Sequence, residues 1–456
     1  MKLMKKSLLL FILMIFLGTT VLAGCGNAAE QGNESETPQE TAPADEPTEP
    51  VEVPEEEEVT PEEVTEVSYP VNTSPKEVII YFSNWAVYTR GALGEVASIP
   101  WDNITYINHA FWSVAPADGT TESSFDRRDS GAEPRTEFEI ISTDPDADYL
   151  DETPSEMDGS LPKNHFAQYE YYAEQYPDVN IMISLGGWTE SGYFSEMAYT
   201  EEGRQTFIDS CVALIEEYPW IDGIDVDWEY PAGNPDGERL PENADDQGCP
   251  IWGTAEEDNA NFALMLKGLR EALDAQYGAG NKKMTACASA SYGYTLPCQD
   301  WVAAEPYLDY INIMTYDFAG TWAGVTSHNS SITDTVSAVA FLMGKNIPTA
   351  KLNIGSPLYG MDLKMTAVNP EVIVGASIEA VRPSAVEIDQ SMIIDFMSQS
   401  VSGYTVKLEN GRAVKEADFD NGGTGWHFDY SDSAKAPYLY NDDEGSEYYG
   451  WFISYE

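Results

Sequence analysis

Positively charged residues are scarce in this chain of 456 residues. It holds 23 Lys and Arg against 78 Asp and Glu, a formal net charge of −55. Proteins that bind nucleic acid need clustered cationic side chains to neutralise phosphates. We therefore expect no nucleic-acid partner. The folded part is also acidic, which favours solubility and does not identify a substrate.

Histidine and cysteine are also few. The four His form no HExxH or similar ligand pair and the five Cys form no CxxC, which argues against a zinc enzyme. GxSxG, Walker A and placed GxGxxG sequences are missing too, which argues against serine hydrolases, nucleotide hydrolases and dinucleotide enzymes. Four Cys remain besides Cys25, and disulfides and buried free thiols both stay open for them. They are Cys211, Cys249, Cys287 and Cys298.

Long apolar runs are confined to the N-terminus. Three lysines precede an apolar run over Leu8–Leu17, which is typical of a secretory signal and too short for a membrane span. The sequence Leu22-Ala23-Gly24-Cys25 that follows resembles the lipobox of bacterial lipoproteins. This resemblance implies a signal peptide over 1–24 and a lipidated Cys25. The protein is then expected on the outer face of a bacterial cell membrane, held there by its lipid alone.

The segment after Cys25 cannot build a core. Residues 25–75 are rich in Pro, Glu and Thr, with fifteen acidic residues between Glu30 and Glu66. Proline and charge repulsion keep such a segment extended. We predict a disordered tether over 25–75 and a folded domain over 76–456.

Within 76–456, short runs of β-branched and aromatic residues alternate with helical patterns. Most of these runs are apolar on both faces, as expected of parallel strands buried between layers. The alternation predicts an α/β fold, a TIM-type (β/α)8 barrel, with an open doubly wound sheet as the alternative. The seven predicted strands are Val78–Trp85, Ile104–Trp112, Asn180–Trp188, Gly223–Tyr230, Met284–Tyr292, Tyr310–Phe318 and Lys351–Tyr359.

Three segments interrupt the repeat. Polar stretches at 113–162 and 231–253 follow strands, so in a barrel they lie at the C-terminal rim, where active sites are built. A small α+β insertion is predicted after strand 7, over about 362–426. It has a helix near Met392–Met397 and a hairpin over Tyr404–Val414 that turns at Glu409-Asn410-Gly411.

Carboxylates are concentrated in the segment Asp222–Tyr230, which reads Asp-Gly-Ile-Asp-Val-Asp-Trp-Glu-Tyr. Because strand side chains alternate between faces, Asp225, Asp227 and Glu229 share one face and the apolar residues between them take the other. Carboxylates this close raise the pKa of at least one of them, and a carboxyl that keeps its proton near neutral pH is suited to general acid catalysis. The residues alone leave a catalytic site and a Ca²⁺ or Mg²⁺ site open.

The same segment resembles the DGxDxDxE signature of glycoside hydrolase family 18, the chitinases and related endo-N-acetylglucosaminidases. Other segments are similar to this family in the same order, so that the resemblance covers 78–456. These segments are Tyr81–Trp85, Tyr106–Trp112, Ser184–Trp188, Met314–Phe318, Gly355–Gly360, Ala434–Tyr440 and Phe452–Tyr455.

The resemblance implies a retaining mechanism in which the substrate's own 2-acetamido oxygen attacks C1. Glu229 would protonate the leaving oxygen and then activate water. Asp227 would orient the acetamide, with Asp225 sharing a proton behind it, Tyr316 donating to the acetamide oxygen and Asp222 more structural. The residues implied in substrate binding are Asp317, Met314, Trp188, Tyr230, Phe82, Trp85, Trp112 and Tyr359. For the rings Trp188, Trp85, Phe82 and Trp112, plain core packing is the alternative.

The implied activity is hydrolysis of β-1,4-linked N-acetylglucosamine polymers, chitin or chitooligosaccharides, by a monomer that needs no cofactor or metal. An endo-β-N-acetylglucosaminidase acting on glycans or cell wall, and a non-catalytic carbohydrate-binding protein on the same barrel, are the alternatives. Two departures from the family stand out. Met361 occupies a position where the family commonly has Arg. The sequence is expected to end before barrel strand 8, since only seven strands are counted up to Glu456.

Overall fold

The computed structural model describes residues 76–116, 136–233, 251–369, 371–379, 407–409, 412–414, 425–431, 433–446 and 448–455. The predicted signal peptide, lipidated Cys25, the tether, Cys249 and the predicted helix near Met392–Met397 lie outside them. Within these ranges, no helix combines the length and apolar character that crossing a membrane requires.

Seven parallel strands form one curved sheet with the order β1-β2-β4-β5-β6-β7-β8. A short strand, β3, pairs antiparallel with the end of β2. The strands are β1 (Ile79–Ser83), β2 (Tyr106–Val114), β3 (Ile140–Ser142), β4 (Asn180–Gly186), β5 (Gly223–Asp227), β6 (Lys283–Ser289), β7 (Tyr310–Met314) and β8 (Leu352–Ile354). Apart from β3, consecutive strands are neighbours in space, which is the order of a (β/α)8 barrel. The barrel prediction and its seven strands are confirmed.

Helices connect these strands. They are α1 (Ala86–Arg90), α2 (His165–Gln175), α3 (Gly187–Glu190), α4 (Phe194–Tyr199), α5 (Glu201–Glu217), α6 (Ala255–Tyr277), α7 (Trp301–Ala304) and α8 (Ile332–Gly344). A π-helical turn covers Asp146–Leu150. Short 3₁₀ helices cover Gly91–Gly94, Val96–Ser98, Trp101–Asn103, Leu296–Cys298, Glu305–Tyr307, Thr321–Ala323 and Thr349–Lys351.

The two long helices begin at side-chain caps. The Thr200 hydroxyl accepts the Gly203 N–H at the start of α5. At the start of α6, Thr254 and Glu257 cap each other's backbone N–H groups, a capping box that satisfies two otherwise unpaired donors. The apolar faces of both helices are buried, so they cover the outer side of the sheet.

The main core lies between the outer face of the sheet and these helices. Trp228, just after β5, is buried there, with its ring centroid 5.6 Å from those of Phe194 and Phe262. Since Trp228 lies on this outer side, the alternating carboxylates point to the inner side of the sheet.

A second, antiparallel sheet follows the barrel strands, in the order β12-β13-β14-β9. Its strands, with a separate hairpin β10-β11, are β9 (Gly360–Lys364), β10 (Lys407–Glu409), β11 (Arg412–Val414), β12 (Trp426–Ser431), β13 (Ala436–Asn441) and β14 (Trp451–Tyr455). Glu409 pairs with Arg412, as predicted for the hairpin, whose residues 404–406 lie outside the described ranges. The insertion bounds of about 362–426 stay a prediction. Each bound falls within a strand of this sheet, the first in β9 and the second in β12.

Within the ranges described above, β1 and β8 are the two outer strands of the parallel sheet, each with one parallel neighbour. Among the described cysteines, Cys211 and Cys287 are buried free thiols and Cys298 is an exposed one. The alternative of buried free thiols therefore holds for Cys211 and Cys287, whereas the free thiol of Cys298 is exposed.

Candidate active site

Strand β5 carries the carboxylates, and its contacts with the neighbouring strands β4 and β6 determine its position. Gly223 lies so close to β6 that a Cβ there would be 2.1 Å from the carbonyl oxygen of Lys283, so no larger residue fits. Asp222 Oδ2 accepts the backbone N–H of Ile181 at 2.9 Å and ties the start of β5 to β4. Asp222 thus contacts backbone, in line with the structural role implied for it.

Asp225 lies buried on the inner side of the sheet, where side-chain donors from four strands converge on it. The Ser184 hydroxyl donates at 2.7 Å, the Tyr81 hydroxyl at 3.0 Å and the Asn312 amide at 3.3 Å, and Thr285 also donates. Burial raises the pKa of Asp225, and these hydrogen bonds oppose the rise. Asp225 is therefore a hydrogen-bond acceptor that these donors hold in one position at the bottom of the site.

Asp227 is buried next to Asp225 on the same inner side, but it has fewer partners. Its Oδ1 has no hydrogen-bond partner in the part of the chain that the structure describes. Burial first, and then the charges of Glu229 and Asp225, raise the pKa of Asp227 well above its ordinary value. This rise in the pKa of Asp227 is the effect expected of stacked carboxylates.

Glu229 lies two residues beyond β5 and is partly exposed. Its backbone N–H donates to Ser191 Oγ at 2.9 Å. Burial raises the pKa of the Glu229 carboxyl to about 7, with the charge of Asp317 adding to the rise, while hydrogen bonds from Tyr230 and the Trp188 backbone oppose it. Among the three acids on this face, Glu229 is the one that substrate can reach and that changes protonation near neutral pH.

Two glycines at the end of β4 bring the backbone close to these acids. Gly186 has a φ of 112°, and a Cβ there would lie 2.1 Å from the Asp227 carbonyl oxygen. Gly187 has a φ of 77°, and a Cβ there would collide with the ring of Phe111. Only glycine accepts both the positive φ and the close approach. The glycine pair therefore puts Trp188, which is 40 % exposed, at the rim, with its ring centroid 6.5 Å from that of Tyr230.

The end of β7 supplies the opposite side of the site. The Tyr359 hydroxyl donates to Asp317 Oδ1 at 2.8 Å, and the ring centroids of Tyr359 and Tyr316 lie 6.2 Å apart. Burial, followed by the charges of Cys287, Asp227 and Glu229, raises the pKa of Tyr316 far above its ordinary value. The Tyr316 hydroxyl thus keeps its proton and is a hydrogen-bond donor. Met314, which precedes it at the end of β7, is buried.

Two rings predicted to bind substrate lie on the outer face of the sheet, away from the carboxylates. Trp112 is buried in the main core, stacked on Phe166 with ring centroids 5.7 Å apart. Phe82 packs against the same core, with its ring edge-on to that of His165 at 5.3 Å. The prediction that these two rings contact substrate was wrong, and core packing, the alternative, holds for both. Trp85 does lie at the rim, 46 % exposed.

Phe111 takes the place predicted for Trp112. Its ring is stacked on that of Trp85 at 6.3 Å and lies 6.5 Å from that of Tyr81, so it faces the carboxylates. The register between β2 and β4 shifts between His109 and Trp112. Because side chains alternate with period two, such a shift exchanges the faces of the residues after it. The sequence alternation alone gives no sign of this shift.

Sequence reasoning also missed the residues that hold Asp225. Tyr81 lies on the inner face of β1, and its hydroxyl oxygen is 3.0 Å from both Asp225 Oδ2 and Cys287 Sγ. Asn312 on β7 donates to the same Tyr81 oxygen at 3.0 Å. An inward polar residue within an apolar strand was the available signal for these positions.

Comparison with known proteins identifies this arrangement. Residues 77–456 match the family model described as Glycosyl hydrolases family 18. The chain belongs to this family. The resemblance seen in the sequence is thereby confirmed over the whole folded part of the chain.

Relatives in family 18 have names that refer to chitin. Chitinase 1 of Aphanocladium album is 28 % identical over 304 residues, 63 % of this chain and 61 % of the relative. Chitinase C of Streptomyces lividans is 32 % identical over 299 residues, 61 % of this chain and 42 % of the relative. The chain thus spans about half the length of the curated relatives that it matches.

Solved family 18 structures share the fold. A group IV chitinase of Ostrinia furnacalis in complex with allosamidin is 24 % identical, with a TM-score of 0.59 and coverage of 84 % of this chain and 85 % of that one. Chitinase ChiA74 from Bacillus thuringiensis is 25 % identical, with a TM-score of 0.59 and coverage of 83 % and 61 %.

The placement of the aromatic rings predicts effects of different size on stability. We expect Trp112→Ala to lower the free energy of unfolding by about 3–5 kcal/mol, because it leaves a cavity in the main core. Trp85→Ala, at the exposed rim, should change it by less than about 1 kcal/mol. Urea unfolding followed by circular dichroism measures both values. Equal losses in the two variants would contradict the assignment of the two faces.

Proposed function

We propose that this chain hydrolyses β-1,4-linked N-acetylglucosamine polymers, chitin or chitooligosaccharides, with retention of configuration. The observation that carries the proposal is Glu229, a partly exposed carboxyl with a pKa of about 7 next to two buried carboxylates. The relatives named as chitinases support the same substrate class.

Glu229 is suited to protonate the leaving glycosidic oxygen. An ordinary Glu side chain, with a pKa of about 4.3, is ionised at neutral pH, whereas the Glu229 carboxyl keeps a protonated fraction there. Once the leaving group has departed, the same carboxylate can take a proton from water. The Trp188 backbone and the Tyr230 side chain, which both hydrogen-bond to it, hold the carboxyl in position for both steps.

Asp227 and Tyr316 are suited to hold the acetamide group of the sugar. Asp227 has one buried oxygen without a partner in the described ranges, which leaves an acceptor for the acetamide N–H. Tyr316 keeps its proton and can donate to the acetamide oxygen. When that oxygen attacks C1, positive charge develops on the ring that forms, and the carboxylates of Asp227 and Asp225 stabilise it. The substrate then supplies the nucleophile, and no protein side chain has to do so.

Aromatic side chains around the acids can stack on pyranose rings. Trp85 and Trp188 are exposed at the rim, Tyr359 is exposed on the β7 side, and Phe111 lies next to Trp85. We assign the sugar contacts to these rings and to Asp317, in place of Phe82 and Trp112.

The pH dependence of hydrolysis tests this proposal. Glu229 must be protonated to act as the acid, so the rate should fall as pH rises through about 7. Asp317→Asn removes a charge that raises the pKa of Glu229 and should move this decline to lower pH. Glu229→Gln should lower kcat at least 100-fold below about pH 7, where the native acid is protonated, since general acid catalysis contributes about 10²–10⁴. The measurement is release of a fluorogenic group from chitobiose and chitotriose glycosides.

Glu271→Gln is the matched control, because it removes a carboxylate from an exposed i,i+4 pair with Lys267 on α6. It should leave rate and pH profile unchanged. Full activity in Glu229→Gln would rule out Glu229 as the acid. A folded native chain that binds these glycosides without cleaving them would favour the carbohydrate-binding alternative.

We also propose that the protein is anchored at the outer face of a bacterial membrane. The lipobox-like Leu22–Cys25 supports lipidation of Cys25, and the acidic, proline-rich 25–75 supports an extended tether. Action as a monomer stays a prediction. A fatty-acid label should be incorporated into the native chain and be lost in Cys25→Ala. Labelling that persists in the variant would contradict the anchor.

A further inference from the structure

A buried cluster of possible metal ligands lies on the outer side of the sheet, facing away from the carboxylates. His109 of β2, Asp148 of the π-helical turn and His165 of α2 each offer one ligand atom, and these atoms all lie within 4.8 Å of one another. All three side chains are fully buried. The His109 ring contacts Phe166 and Tyr169 of α2, which confirms that it points outward.

Two of the separations within this cluster lie near those of a tetrahedral zinc site. His109 Nε2 lies 2.8 Å from Asp148 Oδ1, and His165 Nδ1 lies 3.9 Å from the same oxygen. Ligand atoms bound at 2.0–2.1 Å to a tetrahedral ion are about 3.3 Å apart. The two distances lie on either side of that value, so shifts of about 0.5 Å would bring both of them close to it.

His165 supplies an independent reason to place a ligand here. The side chain is fully buried, and its ring nitrogens make no short hydrogen bond in the described part of the chain, where Asp148 and the Gly94 backbone are their polar neighbours. Leaving such groups unpaired is costly, and an ion bound to the ring would remove that cost.

The surrounding side chains orient the other two ligands. The Tyr169 hydroxyl lies 3.2 Å from His109 Nδ1, which leaves Nε2 facing Asp148. The Ser142 hydroxyl donates to Asp148 Oδ2 at 2.5 Å, so that Oδ1 is the oxygen shared with both imidazoles. Such outer hydrogen bonds are typical of metal ligands.

We propose that His109, Asp148 and His165 bind one Zn²⁺ ion in a structural site. Two imidazoles and one carboxylate suit Zn²⁺, whereas Ca²⁺ and Mg²⁺ prefer oxygen ligands alone. The ligands come from three elements far apart in sequence, so the ion would pin the segment between β3 and α2 to the barrel. Because all three ligands are buried, the ion would stabilise the fold and would not contact substrate.

The test uses the purified full chain after dialysis against EDTA. Adding one equivalent of Zn²⁺ should restore about one bound ion per chain by mass spectrometry of the metal and should raise the unfolding midpoint. His165→Phe should lose both effects. His427→Gln is the matched control, because His427 lies 2.8 Å from Asp442 in an exposed pair elsewhere and should leave both effects intact.

Zn²⁺ binding and stabilisation that are unchanged in His165→Phe would overturn the site, as would a native chain that takes up no Zn²⁺. If His165→Phe fails to fold, the absorption spectrum of Co²⁺ added to the native chain tests the site instead. Absorption bands of tetrahedral Co²⁺ with nitrogen ligands, lost when His109 is replaced by Gln, support the site. Their absence from the native chain means that the cluster is a hydrogen-bonded triad only.

Discussion

Burial of the Asp225 carboxylate is the constraint on which the rest of the site depends. A carboxylate in the interior of a sheet is costly unless donors surround it, and here the donors come from four strands, β1, β4, β6 and β7. Tyr81, Ser184, Thr285 and Asn312 can converge on one carboxylate only if the parallel sheet curves. The Asp225 carboxylate can therefore be buried only in a curved sheet. Its burial in turn explains why those four strands carry polar residues on their inner faces.

The two carboxylates that follow Asp225 have successively different environments. Asp227 is still buried but has an oxygen without a partner in the described ranges, and the charges on either side raise its pKa. Glu229 is partly exposed, at the point where the strand has ended. One alternating strand thus provides a buried acceptor, a buried neighbour with a raised pKa and an accessible acid. The glycines at 186 and 187 are needed because the β4 backbone lies against the same strand.

Much of this could be predicted from the sequence, because period-two alternation is a property of the chain itself. It placed Asp225 and Asp227 on one face and Trp228 on the other, and the apolar runs gave all seven strands. The face of the sheet that Phe111 and Trp112 occupy was not predicted, because a register shift between β2 and β4 exchanges the two faces there. The face of Phe82 was also predicted wrongly, because Tyr81 beside it takes the inward position. The grouping of His109, Asp148 and His165 depends on three distant elements meeting, which local patterns do not encode.

The proposed mechanism, in which the substrate's acetamide is the nucleophile and the carboxylates assist it, fixes the configuration of the product. ¹H NMR of the anomers first formed when the chain cleaves chitotetraose tests it. We expect the β-anomer as the initial product, which then equilibrates slowly in water. Initial formation of the α-anomer would mean that a carboxylate activates water for direct displacement, and would overturn the mechanism.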